Sequence, residues 1–300
     1  MMPPTMHKLI VTKLFHEIAP GQTRLGFFDK DDRLLDVWFN PLHRPNLIGS
    51  VHHIRIERVF PNQNRATGRF DNGLLVSVRL RKADAVLATA GTVLPVTITA
   101  APRHGKPWQA MIGARLASEG MILLIGLSDG AAATALSNRI PTEQRAALKA
   151  RLAAEAMAAL PAGFGVILRR NGVDLPDFAS EVSRLVGMWQ ASASDLTKNQ
   201  TGIIFDGGGF LARAKRLVGD VMVLDDPADA AAMSCQLDDA IAAAILPKTP
   251  LACGGHLWCE QSHALWSIDL DSNGVTDFDL LFDEAASEIA RQIRLRAMSG

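Results

Sequence analysis

The chain has little with which to cross-link itself, cross a bilayer or run the commoner enzyme chemistries. Its three cysteines, Cys235, Cys253 and Cys259, are an odd number without a Cys-x-x-Cys spacing. That argues against a disulfide framework and against the usual zinc site, so they are expected to be small buried hydrophobes. No run of about 18 apolar residues is present, so no helical membrane span is expected. The opening Met-Met-Pro-Pro-Thr-Met-His-Lys lacks an apolar run leading to a cleavage point, and the expected location is the cytoplasm. Nucleophile elbow, P-loop and dinucleotide-binding glycine patterns are absent, and the eight histidines show no metal-ligand spacing.

What is there is enough for several modules. Three hundred residues, 48% hydrophobic and 21% charged, suffice for two or more modules or one large domain. Charge is unevenly spread although the net is zero. Residues 49–112 carry nine Lys/Arg against three Asp/Glu, whereas residues 221–290 carry thirteen Asp/Glu against one Lys. The first segment suits a polyanion, and the second suits divalent cations or a solvated face.

Residues 24–40 read as a hairpin turning at Asp29 to Asp32. From Val51 to Ile98 short apolar runs, including Val51 to Phe60, Leu74 to Leu80 and Val93 to Ile98, are punctuated by turns such as Asp71-Asn72-Gly73, the spacing of a small barrel such as an OB-fold. Met121 to Ile125 and Gly165 to Leu168 are strand candidates. Pro141-Thr142 opens an alanine-rich helix, and Phe178, Val182, Leu185 and Trp189 recur at helical spacing. Ile203 to Phe205 and Val221 to Leu224 flank a basic helix with Arg213, Lys215 and Arg216. Leu257 to Glu260 and Ala264 to Leu270 read as paired strands. A last amphipathic helix is expected from Phe282 to Arg296, with Ile289, Ile293 and Leu295 inward.

The densest chemistry lies at Ser267-Ile268-Asp269-Leu270-Asp271-Ser272-Asn273-Gly274, a strand running into an oxygen-rich turn. Hard cations need such ligands, and Mg²⁺ uses one or two carboxylates while keeping waters. An Asx-rich turn is the plain alternative. A calcium loop over 269–280 is a further one, because Asp269, Asp271, Asn273, Gly274 and Asp277 follow that spacing although Leu280 stands where its last ligand belongs. In the barrel segment Arg55, Arg58, Arg65, Arg69, Arg79 and Arg81 suit a phosphate-tracking groove, with only Phe60 and Phe70 available for stacking. Arg103-His104-Gly105-Lys106 and Arg169-Arg170 place cations where phosphates could approach.

Three segments, in order, resemble the ribonuclease E/G family. Phe27 to Trp38 with Asn46-Leu47-Ile48-Gly49-Ser50-Val51 is similar to the family's hairpin leading into its OB-fold. Gly254 to Asp269 is similar to its glycine pair, strand, turn and catalytic aspartate strand, and Glu284 to Arg296 to the helix that follows. Between them, Arg103 to Lys106, Ser137-Asn138-Arg139-Ile140 and Phe164 to Arg169 fall where the family has its RNA-contacting and end-sensing elements. The chain departs from the family in having Arg170 after the sensing arginine and Asp271 two residues after the catalytic aspartate. The family's second metal-binding aspartate and zinc-linking cysteine pair have no counterpart here, as in a shortened or C-terminally truncated member.

The resemblance implies an α+β multidomain protein. A ribonuclease-H-like layer (1–48 and 196–245) would carry an inserted OB-fold barrel (49–112), a 5′-sensor subdomain (113–195) and a partial deoxyribonuclease-I-like module (246–300). It implies Mg²⁺-dependent endonucleolytic cleavage of single-stranded RNA, with Asp269 as metal ligand, Asp269 and Asp271 catalytic, and Arg103, Lys106, Arg139, Arg169 and Arg170 gripping RNA. A non-catalytic RNA-binding protein with a degenerate metal site is the alternative. No membrane partner is expected, and homo-oligomer formation is compatible with the reading.

Overall fold

The computed structural model describes residues 10–43, 45–81, 88–102, 105–127, 130–194, 199–219, 221–224, 227–262 and 265–298. The chain divides into two compact units, 1–45 with 220–300 and 46–219.

The first unit holds the expected hairpin as its second and third strands, preceded by a strand that was not expected. β1 (Lys13–Ala19), β2 (Gln22–Phe28) and β3 (Leu34–Pro41) are antiparallel neighbours. The β2–β3 turn is an Asx device: Asp29 Oδ1 accepts from the backbone N–H groups of Asp31 and Arg33, both at 2.9 Å. Phe15, Phe28 and Leu34 are buried on this sheet.

The second unit opens with a closed barrel. Its strands are β4 (Val51–Phe60), β5 (Arg65–Arg69), β6 (Leu75–Arg79), β7 (Val93–Ala100) and β8 (Trp108–Ile112). The pairing order β4-β5-β6-β8-β7 returns to β4, so this five-stranded OB-like ring leaves no free edge inside itself. Alternation along the strands sends Ile54, Ile56, Val76, Val78, Val96 and Ile98 inward. Phe70 is also buried there, which removes it from the expected stacking residues and leaves Phe60.

An α+β layer follows. β9 (Ala114–Ala117), β10 (Met121–Ile125), β11 (Ala133–Leu136) and β12 (Phe164–Leu168) form a sheet in the order β11-β12-β10-β9. After β11 come α1 (Thr142–Ala156) and, following β12, α2 (Phe178–Ser192). Asp177 caps α2, accepting from Ser180 N at 3.0 Å, and Phe178, Val182, Leu185, Val186 and Trp189 are buried, the spacing expected from the sequence. Each such side chain contributes roughly 1.5–3 kcal/mol of burial. β13 (Gly202–Phe205) pairs with β4, and α3 (Phe210–Val218) follows Gly207, Gly208 and Gly209, all at positive φ.

α3 is basic by composition, yet Arg213 and Arg216 point inward at 3% and 6% exposure. Arg213 Nη1 donates to the carbonyls of Asn46 and Ile48, and Arg216 donates to those of Ala117 and Gly207. Burial pushes both guanidinium pKa values down to about 10. These cations stitch loops together rather than face solvent.

The chain returns to the first unit with β14 (Met222–Leu224), parallel to β1, and α4 (Pro227–Ile245), which adds Leu237 to the β1–β3 core. β15 (Lys248–Pro250), β16 (His256–Gln261) and β17 (Trp266–Asp271) make a small antiparallel sheet followed by α5 (Phe278–Leu295). Leu281 and Ala285 of α5 close one face of that sheet over Leu257 and Cys259, while Leu295 packs with the Phe15–Phe28 cluster. Ile293, expected inward, is exposed, because Glu288 and Gln292 occupy the buried stripe instead. Glu288 accepts from Arg33 at 2.6 Å, Arg291 at 2.7 Å and Gln292 at 2.8 Å. Of the cysteines only Cys259 is buried; Cys253 is half-buried and Cys235 is exposed, since it lies on α4 away from the core stripe marked by Leu237.

Candidate functional site

The sequence places Asp269 and Asp271 two residues apart on β17, so both side chains lie on one face of the small sheet. The register builds rows across it: Lys248, Trp258 and Asp269 form one, and Pro250, His256 and Asp271 the next. α5 covers the opposite face, and Asp269 and Asp271 are exposed. Asp269 makes no side-chain hydrogen bond or ion pair among the described residues. Asp271 Oδ1 accepts from Asn273 N at 2.9 Å, which commits one oxygen to the following turn.

The expected calcium loop does not assemble from these residues. Asp277 caps α5, accepting from Leu280 N at 3.0 Å, and Asn273 Nδ2 donates to Gly254 O at 3.1 Å. Among the described residues no three of His, Cys, Asp and Glu gather as a metal cluster. Asp269 and Asp271 therefore stand as a pair.

In the second unit, β11 and β12 are parallel, so their C-terminal ends lie side by side. Ser137 N donates to Leu168 O at 2.9 Å, and Arg145 Nη1 donates to Ser137 O at 2.8 Å, holding the turn that carries Arg139 against the end of β12. Arg169 sits on that end. Its Nη1 donates to Ser118 O and its backbone N to Gly120 O at 2.8 Å. Burial pushes the Arg169 pKa down, and the nearby positive charge of Arg139 pushes it further, partly offset by Glu119. Two cations brought together in this way favour an anion between them. Arg170 is exposed in the next turn. Gly172 lies so close to Gly120 that a Cβ there would collide with the Gly120 oxygen and sit 2.7 Å from its Cα.

On the barrel, the register sets Arg55 directly opposite Arg69 and Arg65 directly opposite Arg79. Like charges facing each other across a ladder are destabilising; in the first pair Glu57 accepts from Arg69 Nε at 3.0 Å and answers one charge. Arg58 lies over Phe60 at 5.9 Å, so the half-buried ring keeps a cation beside it. Lys106 is exposed just before β8, whereas Arg103 lies outside the described residues.

Residues 220–300 match the family model of the Ribonuclease E/G family. The matched segment contains β14 to β17, α4 and α5, and with them Asp269 and Asp271. A search of curated proteins finds no match. The ribonuclease E/G match suggests a ribonuclease or RNA-processing function and implies RNA binding. No helix of the described residues is long and apolar enough to cross a membrane. The expected site residues thus divide between units: Asp269 and Asp271 lie in the ribonuclease E/G segment, and Lys106, Arg139, Arg169 and Arg170 in the other unit. A cleft of about 520 Å³ in the first unit, lined by Arg33, Leu251, Glu284 and Glu288 among others, includes neither aspartate. Sequence reading passed over Trp258 and Lys248. The signal was the alternation in β16, where Leu257 and Cys259 turn inward and His256, Trp258 and Glu260 outward.

Proposed function

We propose that the protein is an endoribonuclease of the ribonuclease E/G type that acts on single-stranded RNA. The observation that carries this is Asp269: a carboxylate with both oxygens uncommitted among the described residues, on an open sheet face, inside the segment that matches the family. Asp269, with the remaining oxygen of Asp271, fits one Mg²⁺, which typically takes one or two carboxylates and keeps several waters. When bound, such an ion supplies a water of lowered pKa and neutralises charge on the phosphodiester.

The chain's own residues bind and orient the strand. Arg139 and Arg169 suit a terminal 5′-monophosphate, whose two negative charges answer their mutual repulsion. Arg170 and Lys106, with Arg103, add phosphate contacts, and the facing arginines of the barrel track the backbone. On this reading the β14-β1-β2-β3 sheet is the ribonuclease-H-like layer, the β9–β12 sheet the sensor subdomain, and β15–α5 part of a deoxyribonuclease-I-like module. A cytoplasmic location and homo-oligomer formation belong to the same proposal.

One observation favours a second reading, a non-catalytic RNA-binding protein: only two carboxylates stand at the site among the described residues. Cleavage of a fluorescent 5′-monophosphorylated single-stranded RNA with Mg²⁺, beside a binding titration, separates the two. Cleavage that Asp269→Ala abolishes, with binding retained, is the expected result. Binding without cleavage by the wild type would establish the second reading.

A further inference from the structure

The open face of the β15–β17 sheet holds a ring that the catalytic reading leaves unused. Trp258 lies directly opposite Asp269 on one side and Lys248 on the other, so one row across three strands reads cation, indole, carboxylate. α5 packs on the other face, and Trp258 is 36% exposed. The Lys248 ammonium stands 5.5 Å from its ring centroid. An indole left on a sheet face forfeits burial that its partners Leu257 and Cys259 obtain on the covered side.

The chemistry of the row fits one occupant. A nucleobase offers a flat π-face to the indole, and each phosphate flanking it carries one negative charge. We propose that Trp258 is a stacking platform for a base of single-stranded RNA, with Lys248 holding a flanking phosphate. This rests on the reading of Asp269 as the cleavage site, and it names what would hold the nucleotide there. Base–aromatic stacking tolerates every base, so the platform would add affinity without strict sequence choice. It also supplies the aromatic surface that the barrel, with Phe70 buried, has little of.

The test is a binding titration of a 5′-monophosphorylated single-stranded oligonucleotide with divalent cations chelated, so that no cleavage intervenes. Wild type is compared with Trp258→Val, which keeps strand propensity, with Trp258→Phe, and with an abasic version of the oligonucleotide. Trp258→Val is expected to weaken binding about tenfold, Trp258→Phe to recover most of it, and the abasic oligonucleotide to bind wild type and Trp258→Val alike. Photo-crosslinking of 4-thiouridine RNA to the wild type, mapped by mass spectrometry, reads the same contact without a variant and is expected to mark the β16 peptide. Unchanged affinity in Trp258→Val together with no β16 crosslink would overturn the platform and leave the ribonuclease reading standing. A wild type that binds no single-stranded RNA would overturn that reading, and the platform with it.

Discussion

His52 is 3% exposed inside the barrel, edge-on to Phe70 at 4.8 Å. Ser50 Oγ donates to Leu47 O at 2.6 Å, so it accepts from His52 Nε2–H at 2.8 Å, and the Nδ1 lone pair has no partner among the described residues. Burial lowers the His52 pKa from 6.5 to about 4, against a small opposing effect of Asp71. The unfolded chain therefore binds the extra proton first as acid is added. Stability is full above pH 6.5 and falls toward pH 4, by about 3 kcal/mol across the window. Urea unfolding at pH 7 and pH 5 should show this decrease in the wild type and a smaller one in His52→Gln, with His53, also lowered by burial, contributing the remainder. Glu288 acts at lower pH. Burial raises its pKa, but the hydrogen bonds from Arg291 and Gln292 and the charges of Arg291 and Arg33 lower it more, so it is held below the usual carboxylate value. Its contribution is present above that usual value and disappears as pH falls through the depressed one. Glu288→Ala removes the acceptor of Arg291 and Gln292 and is expected to cost about 1–3 kcal/mol at neutral pH, read by chemical denaturation. None of this was legible from composition. A histidine pair and a helix glutamate look like solvated residues until the fold surrounds them.

The end of β12 depends on contact between two backbones. Gly172 approaches Gly120 so closely that an added Cβ would collide with the Gly120 oxygen and sit 2.7 Å from its Cα. Neither atom can rotate away. Gly172→Ala is expected to destabilise by about 1–3 kcal/mol and to shift Arg169, whose N–H donates to that same Gly120 carbonyl. The expected readouts are a lowered melting temperature and a reduced preference for 5′-monophosphorylated over 5′-hydroxyl RNA; an unchanged preference would separate Arg169 from end recognition. Elements themselves were well marked in the sequence. Helical spacing found α2, two runs joined by a turn marked β16 and β17 as paired strands, and Asp29 to Asp32 marked the first turn. The faces of amphipathic elements were harder. Ile293 is apolar but exposed, because a polar stripe of Glu288 and Gln292, satisfied by Arg33 and Arg291, fills the inward position on α5. Asp277, a ligand in the alternative calcium-loop reading, serves as a helix cap, since the strand-to-helix transition needs an acceptor for Leu280 N.

Over the whole molecule the charge asymmetry becomes a prediction about function against stability. Arg65 faces Arg79 across β5 and β6, a pairing that opposes folding by a few tenths of a kcal/mol and assists polyanion binding. Arg79→Thr should leave the protein as stable or slightly more so while weakening single-stranded RNA binding. The slope of log affinity against log salt should shrink by about 0.7 for each phosphate no longer neutralised. Denaturation and anisotropy across a salt series measure the two effects, and an unchanged slope would remove Arg79 from the groove. The sequence by itself determined the barrel strands, α2, the paired strands before the last helix, that helix, and the basic and acidic halves, because periodicity, turn residues and net charge are local properties. The tertiary structure alone decided which residues are brought together: the turn that carries Arg139 with the end of β12 that carries Arg169, and Trp258 with Asp269. Those pairings follow from strand register and from the parallel joining of β11 and β12, which bring together residues that are far apart in the chain.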